Sequence, residues 1–431
     1  MHTTSQRVQR APNRAAGTAV LTLLFCSAFQ FFHSIGDAFE THPLAPFLLL
    51  ELTLALLIAI AVFSMATRII TGRLRSLDLF FFLFPFFWLL LSSVFAWLTF
   101  DQPLIFGLSE ERRILTFLYW FVFDPVQRRF ALKVGDILTA LILCACVYLI
   151  TAIGLQLLVP DQLSGRALPD LDTRRLRMSA AGECFAITFI VGVVGCLVTK
   201  RYNLNLLAMV VGFVGLVQVA QARQLTLAAA ATLAVLMLRL RPTWTIGTGA
   251  VIVVAFLITI SVRGPVVITQ LSEAVLPNLS EFFGANLLEN TRINTLGIVT
   301  DLLTENYFFG LGAVSLLYDG GLARLYGRNF FINDVGVLGE VFRVGFLYAA
   351  FFCAYAMTAL RLWQRVGRPQ HRHLIFGIYF FYLLLAPTNG IFYRLGFVHA
   401  FLFLLLSAAA TRVGASSSAA YLAPQPAASV R

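Results

Sequence analysis

Apolar residues run along this chain in long blocks separated by short polar connections. A bilayer core takes about 20 apolar residues per helix. On that ruler the blocks predict twelve spans, at roughly 16–35, 44–66, 79–100, 107–124, 135–159, 179–198, 204–220, 225–240, 243–262, 335–360, 374–391 and 396–412. The fourth is the least regular, because Glu110, Glu111, Arg112 and Arg113 sit at its start. The expected fold is therefore all-α: a polytopic integral membrane protein of about 12 transmembrane helices, with one large outer loop containing short helices.

The connections orient the spans, since cytoplasmic loops carry the excess of Lys and Arg. With the N-terminus inside, the inner connections hold Arg68, Arg73 and Arg75; Arg128, Arg129 and Lys133; Lys200 and Arg201; Arg239 and Arg241; and Arg361, Arg365, Arg368 and Arg372. Both termini are then expected in the cytoplasm. Residues 1–414 form one membrane domain with a large periplasmic loop at about 263–334, and the Ala-, Ser- and Pro-rich tail 415–431 is expected to be disordered. A second outer connection, 160–178, is also long. No internal repeat is evident.

Composition agrees with the blocks. The chain is 59% hydrophobic and 12% charged, where a soluble domain carries about a quarter charged residues. No stretch has the charge density of a separate soluble domain. The net charge of +11 reflects membrane topology and implies no nucleic-acid partner. Arg7, Arg10 and Arg14 before the first apolar run read as a signal anchor. Cys26, Cys144, Cys146, Cys184, Cys196 and Cys353 all fall in apolar segments, in neither disulfide-framework nor zinc spacing, and read as small buried hydrophobes. No metal or other cofactor is expected.

Arginine dominates the basic residues: of 32, only Lys133 and Lys200 are lysine. A GC-rich genome accounts for much of this bias. The guanidinium fork is nevertheless the better bidentate phosphate ligand. The topology places Arg112, Arg113, Arg174, Arg177, Arg223, Arg292, Arg328, Arg343 and Arg394 among the outer arginines. Loop solvation and local ion pairs are the ordinary explanation for any one of them. Arg223 is harder to explain so, because it occupies a turn, QARQ, that only joins two spans. Arg343 lies about two turns into the tenth span, with snorkelling of its head group as the alternative. Guanidinium groups gathered at a membrane surface suit a diphosphate and stabilise it as it departs. A nearby carboxylate serves as general base on an acceptor hydroxyl, with Glu183, Asp334 and Glu305 as candidates.

Residues 290–312, NTRINTLGIVTDLLTENYFFGLG, stand out among apolar neighbours. Ile293, Leu296, Val299 and Leu303 recur at helical spacing and predict an amphipathic helix lying on the membrane or under other loops. Arg292 is at its start, where a helix N-terminus complements an anion. Tyr307, Phe308 and Phe309 form an interface anchor, and Gly310 and Gly312 are expected to end the helix.

Four segments in order resemble the O-antigen polymerase and O-antigen ligase superfamily of bacterial inner-membrane enzymes. RLRMSAAGECFAITF resembles the family's Arg-then-Glu-Pro-Ser segment, with Cys184 where Pro is common. QARQLTLAAA resembles its short turn with a central Arg, TRINTLGIVTDLLTENYFFGLG its Arg-led helix ending in Gly-x-Gly, and INDVGVLGEVFRVGFL its Asn-containing stretch that re-enters the membrane. Arg328 and Gly339 show the Arg-x10-Gly spacing associated with the polymerases. The resemblance covers about 174–350.

It implies metal-independent inverting glycosyl transfer from a glycan on undecaprenyl diphosphate. Carried onto these positions, Glu183, Arg223, Arg292 and Asp334 are the implied catalytic residues, and Arg174, Arg177, Arg328, Asn333 and Arg343 the implied substrate-binding residues. The implied partners are a lipid-linked oligosaccharide, membrane lipids, and a chain-length regulator and flippase of the same pathway. Ligases of the family place a His beside the Asn of the large loop. Here that neighbourhood reads Asn329-Phe330-Phe331-Ile332-Asn333-Asp334 and the loop has no histidine, which favours a polymerase of O-antigen or exopolysaccharide repeats. A ligase, a polysaccharide or lipid flippase, and a non-catalytic scaffold are the alternatives. A flippase would need charge along a central path, whereas Glu51 is the clearest mid-span charge.

Overall fold

The computed structural model describes residues 13–32, 45–158, 181–198, 202–220, 223–240, 291–315, 318, 320 and 330–410, with the backbone alone at 45–48, 158, 202, 223, 291–293 and 334. The described residues are helical, with no strand among them. The helices are α1 (Arg14–Ala28), α2 (Ala45–Ile70), α3 (Ser76–Phe100), α4 (Leu104–Glu111), α5 (Trp120–Arg129), α6 (Val134–Leu158), α7 (Gly182–Val198), α8 (Tyr202–Val214), α9 (Arg223–Leu240), α10 (Thr291–Glu305), α11 (Gly336–Val344), α12 (Leu347–Gln364), α13 (Pro369–Asn389) and α14 (Gly396–Ala410).

Among the described residues, four helical stretches are long and apolar enough to cross a membrane: Leu49–Ile70, Ser76–Phe100, Val134–Leu157 and Asn203–Ala220. A fifth is α11 with α12, bent by 114° between them. α1, Gly182–Val198, Gln224–Leu240 and α14 are apolar but shorter. The predicted span 243–262, most of the 263–334 loop and the 415–431 tail lie outside the described residues.

The long helices are apolar on both faces. In α2, Leu54, Leu57, Ala61 and Met65 are buried in the bundle, while Leu52, Leu56 and Phe63 are exposed. A helix with apolar residues on its outward face as well as its inward one is solvated by lipid. The protein is thus a membrane-embedded helical bundle.

The irregular segment predicted as the fourth span is built from three pieces. α4 leads into a 3₁₀ segment, Arg112–Tyr119, and then into α5. Together they run antiparallel to α3. A Cβ on Gly107 would lie 2.9 Å from Ser93 Cα. Glu111 meets Trp88, Phe117 packs on Phe84 at 4.8 Å, and Trp120 stacks on Phe81 at 4.9 Å.

Where α2, α3 and α5 come together, two buried aspartates join them. Asp124 accepts from Arg75 Nη2 at 2.7 Å, Arg68 Nη2 at 3.1 Å and Arg128 Nε at 2.9 Å. Asp78 accepts from Arg75 Nη2 at 2.8 Å and Trp120 Nε1 at 3.0 Å, and pairs with Arg68. Residues that the charge pattern assigns to one side of the membrane therefore meet in space. At the other end, the outer-assigned Arg112 pairs with Glu51 at 2.5 Å, and Gln102 binds the backbone of Ala313 and Ser315. Glu51 is consequently a charge near the start of α2, tied to Arg112, and not one at the centre of a span.

The stretch 290–312 does contain a helix, α10, followed by a strap. Its buried face is Thr295, Val299 and Leu303, whereas Leu296 is exposed, so the inward stripe is rotated from the predicted one. Val299, Leu303, Leu311, Phe330, Val335 and Phe342 make a small second core apart from the main one. The helix ends at Tyr307 and Phe308, both at positive φ, with Phe308 N–H bonding back to Leu303 O at 2.8 Å. Gly310 and Gly312 serve close approach instead. The strap lies on α3, where Ala313 N–H donates to Ser92 O at 2.9 Å, and a Cβ on Gly312 would strike Ala96 N. It also crosses the break between α11 and α12. Gly345 (φ +62°, ψ −148°) makes that break, and Phe346 N–H donates to Phe308 O at 3.0 Å. The tenth predicted span is thus two helices at an angle, because only glycine adopts that conformation readily.

Candidate active site at the loop end of the bundle

The turn after α13 organises this end. α13 stops at Asn389, and Gly390 (φ +72°) redirects the chain toward α14. The next three backbone N–H groups, of Ile391, Phe392 and Tyr393, all donate to the buried carboxylate of Glu340 on α11, at 2.9, 2.6 and 2.8 Å. Consecutive N–H groups converging on one anion form a nest. A side chain at 390 would collide with it, since a Cβ there would lie 2.7 Å from Glu340 Oε1. Glu340 thereby fixes the turn and the ring that follows.

That ring, Tyr393, sits 4.2 Å from the Arg343 guanidinium carbon and donates its hydroxyl to Glu110 O at 2.8 Å. Arg343 is buried on α11 and ion-paired with the fully buried Glu111. Glu111 also accepts from Trp88 Nε1 at 3.0 Å, and Arg343 donates to Gly339 O at 3.0 Å and to Asn333 Oδ1. One buried ion pair therefore connects α3, α4, α11 and the 332–334 turn.

Arg394 follows Tyr393, exposed, with its guanidinium carbon 5.7 Å from the same ring. It is an electrostatic neighbour of both Arg113 on the 3₁₀ segment and Glu183 at the start of α7. Neither Arg113, Arg394 nor Glu183 closes an ion pair among the described residues. The approach of the two arginines follows from packing, since a Cβ on Gly396 would lie 2.6 Å from Thr116 Oγ1 and from Phe117 N. Beside Glu183, Gly182 is pressed by Leu225 and Ala220, so the α7 start and the turn carrying Arg223 share a corner. α8 reaches that corner through a π-helical turn, Gly215–Ala220. Tyr382 on α13 is an electrostatic neighbour of Glu183, and its buried hydroxyl has no hydrogen-bond partner among the described residues.

Of the residues expected from sequence, Arg343 and Asn333 are joined directly, and Glu183 stands near Arg394. Arg223 begins α9, Arg292 is the second residue of α10, and Asp334 closes the 332–334 turn, but their side chains lie outside the described residues. Arg174, Arg177 and Arg328 also lie outside them. α10 packs against the turn holding Asn333, with Phe331 N–H donating to Thr295 Oγ1 at 3.2 Å. Glu305 is exposed.

Sequence reasoning named Arg113 and Arg394 only as outer arginines and missed Glu111, Glu340, Tyr382 and Tyr393. Glu340 was findable: it stands one turn before Arg343 in an apolar helix, where an unexplained carboxylate asks for a partner. Among the described residues no group of His, Cys, Asp or Glu is arranged to hold a metal. Cys26, Cys144 and Cys184 cluster in the main core, with Sγ separations of 3.6 and 3.9 Å, and all six cysteines are free.

The arrangement offers guanidinium groups for an anion, a carboxylate near one of them and a buried hydroxyl without a partner among the described residues. No protein-family model matches the chain, and no curated protein matches it.

Proposed function

We propose that the protein is a glycan polymerase that joins lipid-linked oligosaccharide repeat units into O-antigen or exopolysaccharide at the outer face of the bacterial inner membrane. The observation that carries this reading is that Arg394, at one end of a membrane bundle, is the electrostatic neighbour of a half-buried carboxylate, Glu183, and of a second guanidinium, Arg113, with none of the three closing an ion pair among the described residues. The four ordered segments and the absence of a loop histidine favour a polymerase over a ligase. Twelve spans with both termini cytoplasmic would put this end on the periplasmic side.

In this mechanism the acceptor hydroxyl attacks the anomeric carbon of the donor sugar from the face opposite the diphosphate. Glu183 takes the hydroxyl proton. The new C–O bond forms as the bond from the anomeric carbon to the diphosphate oxygen breaks, which inverts the configuration. The electron pair leaves with the diphosphate, whose growing charge the arginines stabilise. Tyr382 would steady Glu183 through its buried, unpaired O–H. Arg223, Arg292 and Asp334 complete the proposed catalytic set, and Arg174, Arg177, Arg328 and Asn333 the sugar- and phosphate-binding set. Arg343, held by Glu111, positions the Tyr393–Arg394 turn.

The test is reconstitution of the purified protein with undecaprenyl-diphosphate-linked repeat units and without added metal. Lengthening of the glycan supports the proposal. Transfer of repeats across the vesicle bilayer with no chain growth would replace it with transport.

A further inference from the structure

Cations at the end of the bundle away from the candidate site fall into two sets. Arg68, Arg75 and Arg128 close on Asp78 and Asp124. The second set has no such partners: Arg239 lies in the last turn of α9, Arg361 and Arg365 end α12, and Arg368 and Arg372 open α13. All five are exposed, and none closes an ion pair among the described residues. No Asp or Glu occurs between Glu183 and Glu273 or after Glu340, so α9, α12 and α13 supply no carboxylate of their own. Topology asks for cations on this predicted inner side, but not for a set of them left without counter-charge.

The geometry joins two of these helices. α9 and α13 pack closely, since a Cβ on Gly377 would lie 3.0 Å from Leu236 Cδ1. About one turn further out, the Arg239 guanidinium carbon sits 4.5 Å from the centroid of the Phe376 ring, and Arg239 is an electrostatic neighbour of His373. The ring covers one face of the guanidinium and leaves its N–H edge for an acceptor. His373 Nδ1 is buried and has no hydrogen-bond partner among the described residues. Arg372, the residue before it, donates only its Nε, to Val366 O at 2.7 Å, so its two terminal nitrogens stay open among the described residues. The first turn of α13 holds no acidic residue, and its positive helix end adds to the cations. Leu238 and Leu360, each beside one of the arginines, are exposed and apolar. α13 has 21 residues, a length of about 30 Å that matches the hydrocarbon core, so its start lies at the level of lipid phosphates.

We propose that Arg239, Arg368 and Arg372 seat the head-group phosphate of an anionic phospholipid, whose acyl chains run along the outward face of α9 past Leu238. Guanidinium forks match phosphate oxygens bidentately, and basic helix ends attract anionic lipid. A soluble anion would make the same charged contacts but would leave the apolar wall unused. A lipid held in this way ties α9 to α13 at the end opposite the candidate site.

Native mass spectrometry of the full-length protein, titrated in detergent with phosphatidylglycerol or phosphatidylcholine, tests this. Phosphatidylglycerol should bind the more tightly, and equal binding of the two overturns the anionic assignment. Arg239→Gln and Arg368→Gln alter exposed side chains and leave packing intact, and each is expected to weaken phosphatidylglycerol binding about fivefold. Arg73→Gln removes one charge from an exposed residue on the same predicted side, outside the seat, and should leave binding unchanged. An equal loss in Arg73→Gln would reduce the effect to general surface charge and overturn the seat. Glycerol phosphate that displaces the lipid at equal concentration overturns the lipid in favour of a free phosphate. Undiminished lipid binding in both seat variants overturns the proposal and leaves the patch to an acidic soluble protein. None of these outcomes depends on glycan lengthening.

Discussion

Arg343 of α11 and Glu111 of α4 pair inside the bundle at 2% and 0% exposure. Glu111 is bonded to Trp88, ten residues along α3 from Asp78, which corresponds to about 15 Å of helix rise from the aspartate–arginine network. An ion pair that deep is not there for attraction alone, because desolvation offsets much of the Coulombic gain. Its position beneath Tyr393 indicates a role in holding the turn that presents Arg394.

The pair makes a prediction about coupling. Glu111→Ala or Arg343→Ala leaves one buried charge without its partner, at a cost of about 3–5 kcal/mol. Glu111→Leu combined with Arg343→Met removes both charges and should recover most of that loss. Thermal melting in detergent for the single and double variants measures it. Additive losses would mean that the two side chains act independently.

The network at the other end should be graded by burial. Asp124 is 1% exposed and faces three arginines, so Asp124→Ala removes the buried acceptor they share, leaves Arg68 and Arg75 to Asp78 alone, and should lower stability by about 1.5–3 kcal/mol. Arg128, 53% exposed, holds the same carboxylate from the outside, and Arg128→Ala should cost about 0–1 kcal/mol. Equal melting temperatures for the two variants would contradict a buried lock.

These two clusters show what a sequence makes visible. The apolar helices and the place of Arg343 inside an apolar block are local properties, carried by block length and by position within a block. The partner of Arg343 is not local. Glu111 lies in SEER, a run of charge that reads as the edge of a poor span, and no periodicity links that segment to α11. Glycine shows the same division. Gly310 and Gly312 mark a special place in the sequence, but whether they turn the chain or admit a neighbour depends on α3 being beneath them. The buried stripe of α10 departs from the apolar pattern because Thr295 is an inward residue, hydrogen-bonded to Phe331 N, and hydrophobicity gives no sign of it.

Glycine substitutions test the strap. Gly345→Ala forces a side chain into a conformation that is nearly glycine-only, with the new Cβ 2.7 Å from Phe308 O, and should cost at least about 1–3 kcal/mol. Gly297 lies on the exposed face of α10, and a Cβ added there would meet nothing within 4 Å. Gly297→Ala should therefore stabilise the protein by about 0.5–1 kcal/mol. A pair of melting curves decides whether the strap or the helix limits stability here.

Tyr382 and Glu183 separate chemistry from structure. The Tyr382 hydroxyl has no hydrogen-bond partner among the described residues, so Tyr382→Phe should leave the melting temperature unchanged. If that hydroxyl steadies Glu183, the same variant lowers the rate of chain growth. Glu183→Gln keeps shape and volume but cannot take a proton, and should slow lengthening by about 10²–10⁴-fold while lipid binding persists. Both rates are read from the ladder of lipid-linked products over time. Full activity in Glu183→Gln would move the general base to another carboxylate, with Asp334, at the turn beside Asn333, the next to replace.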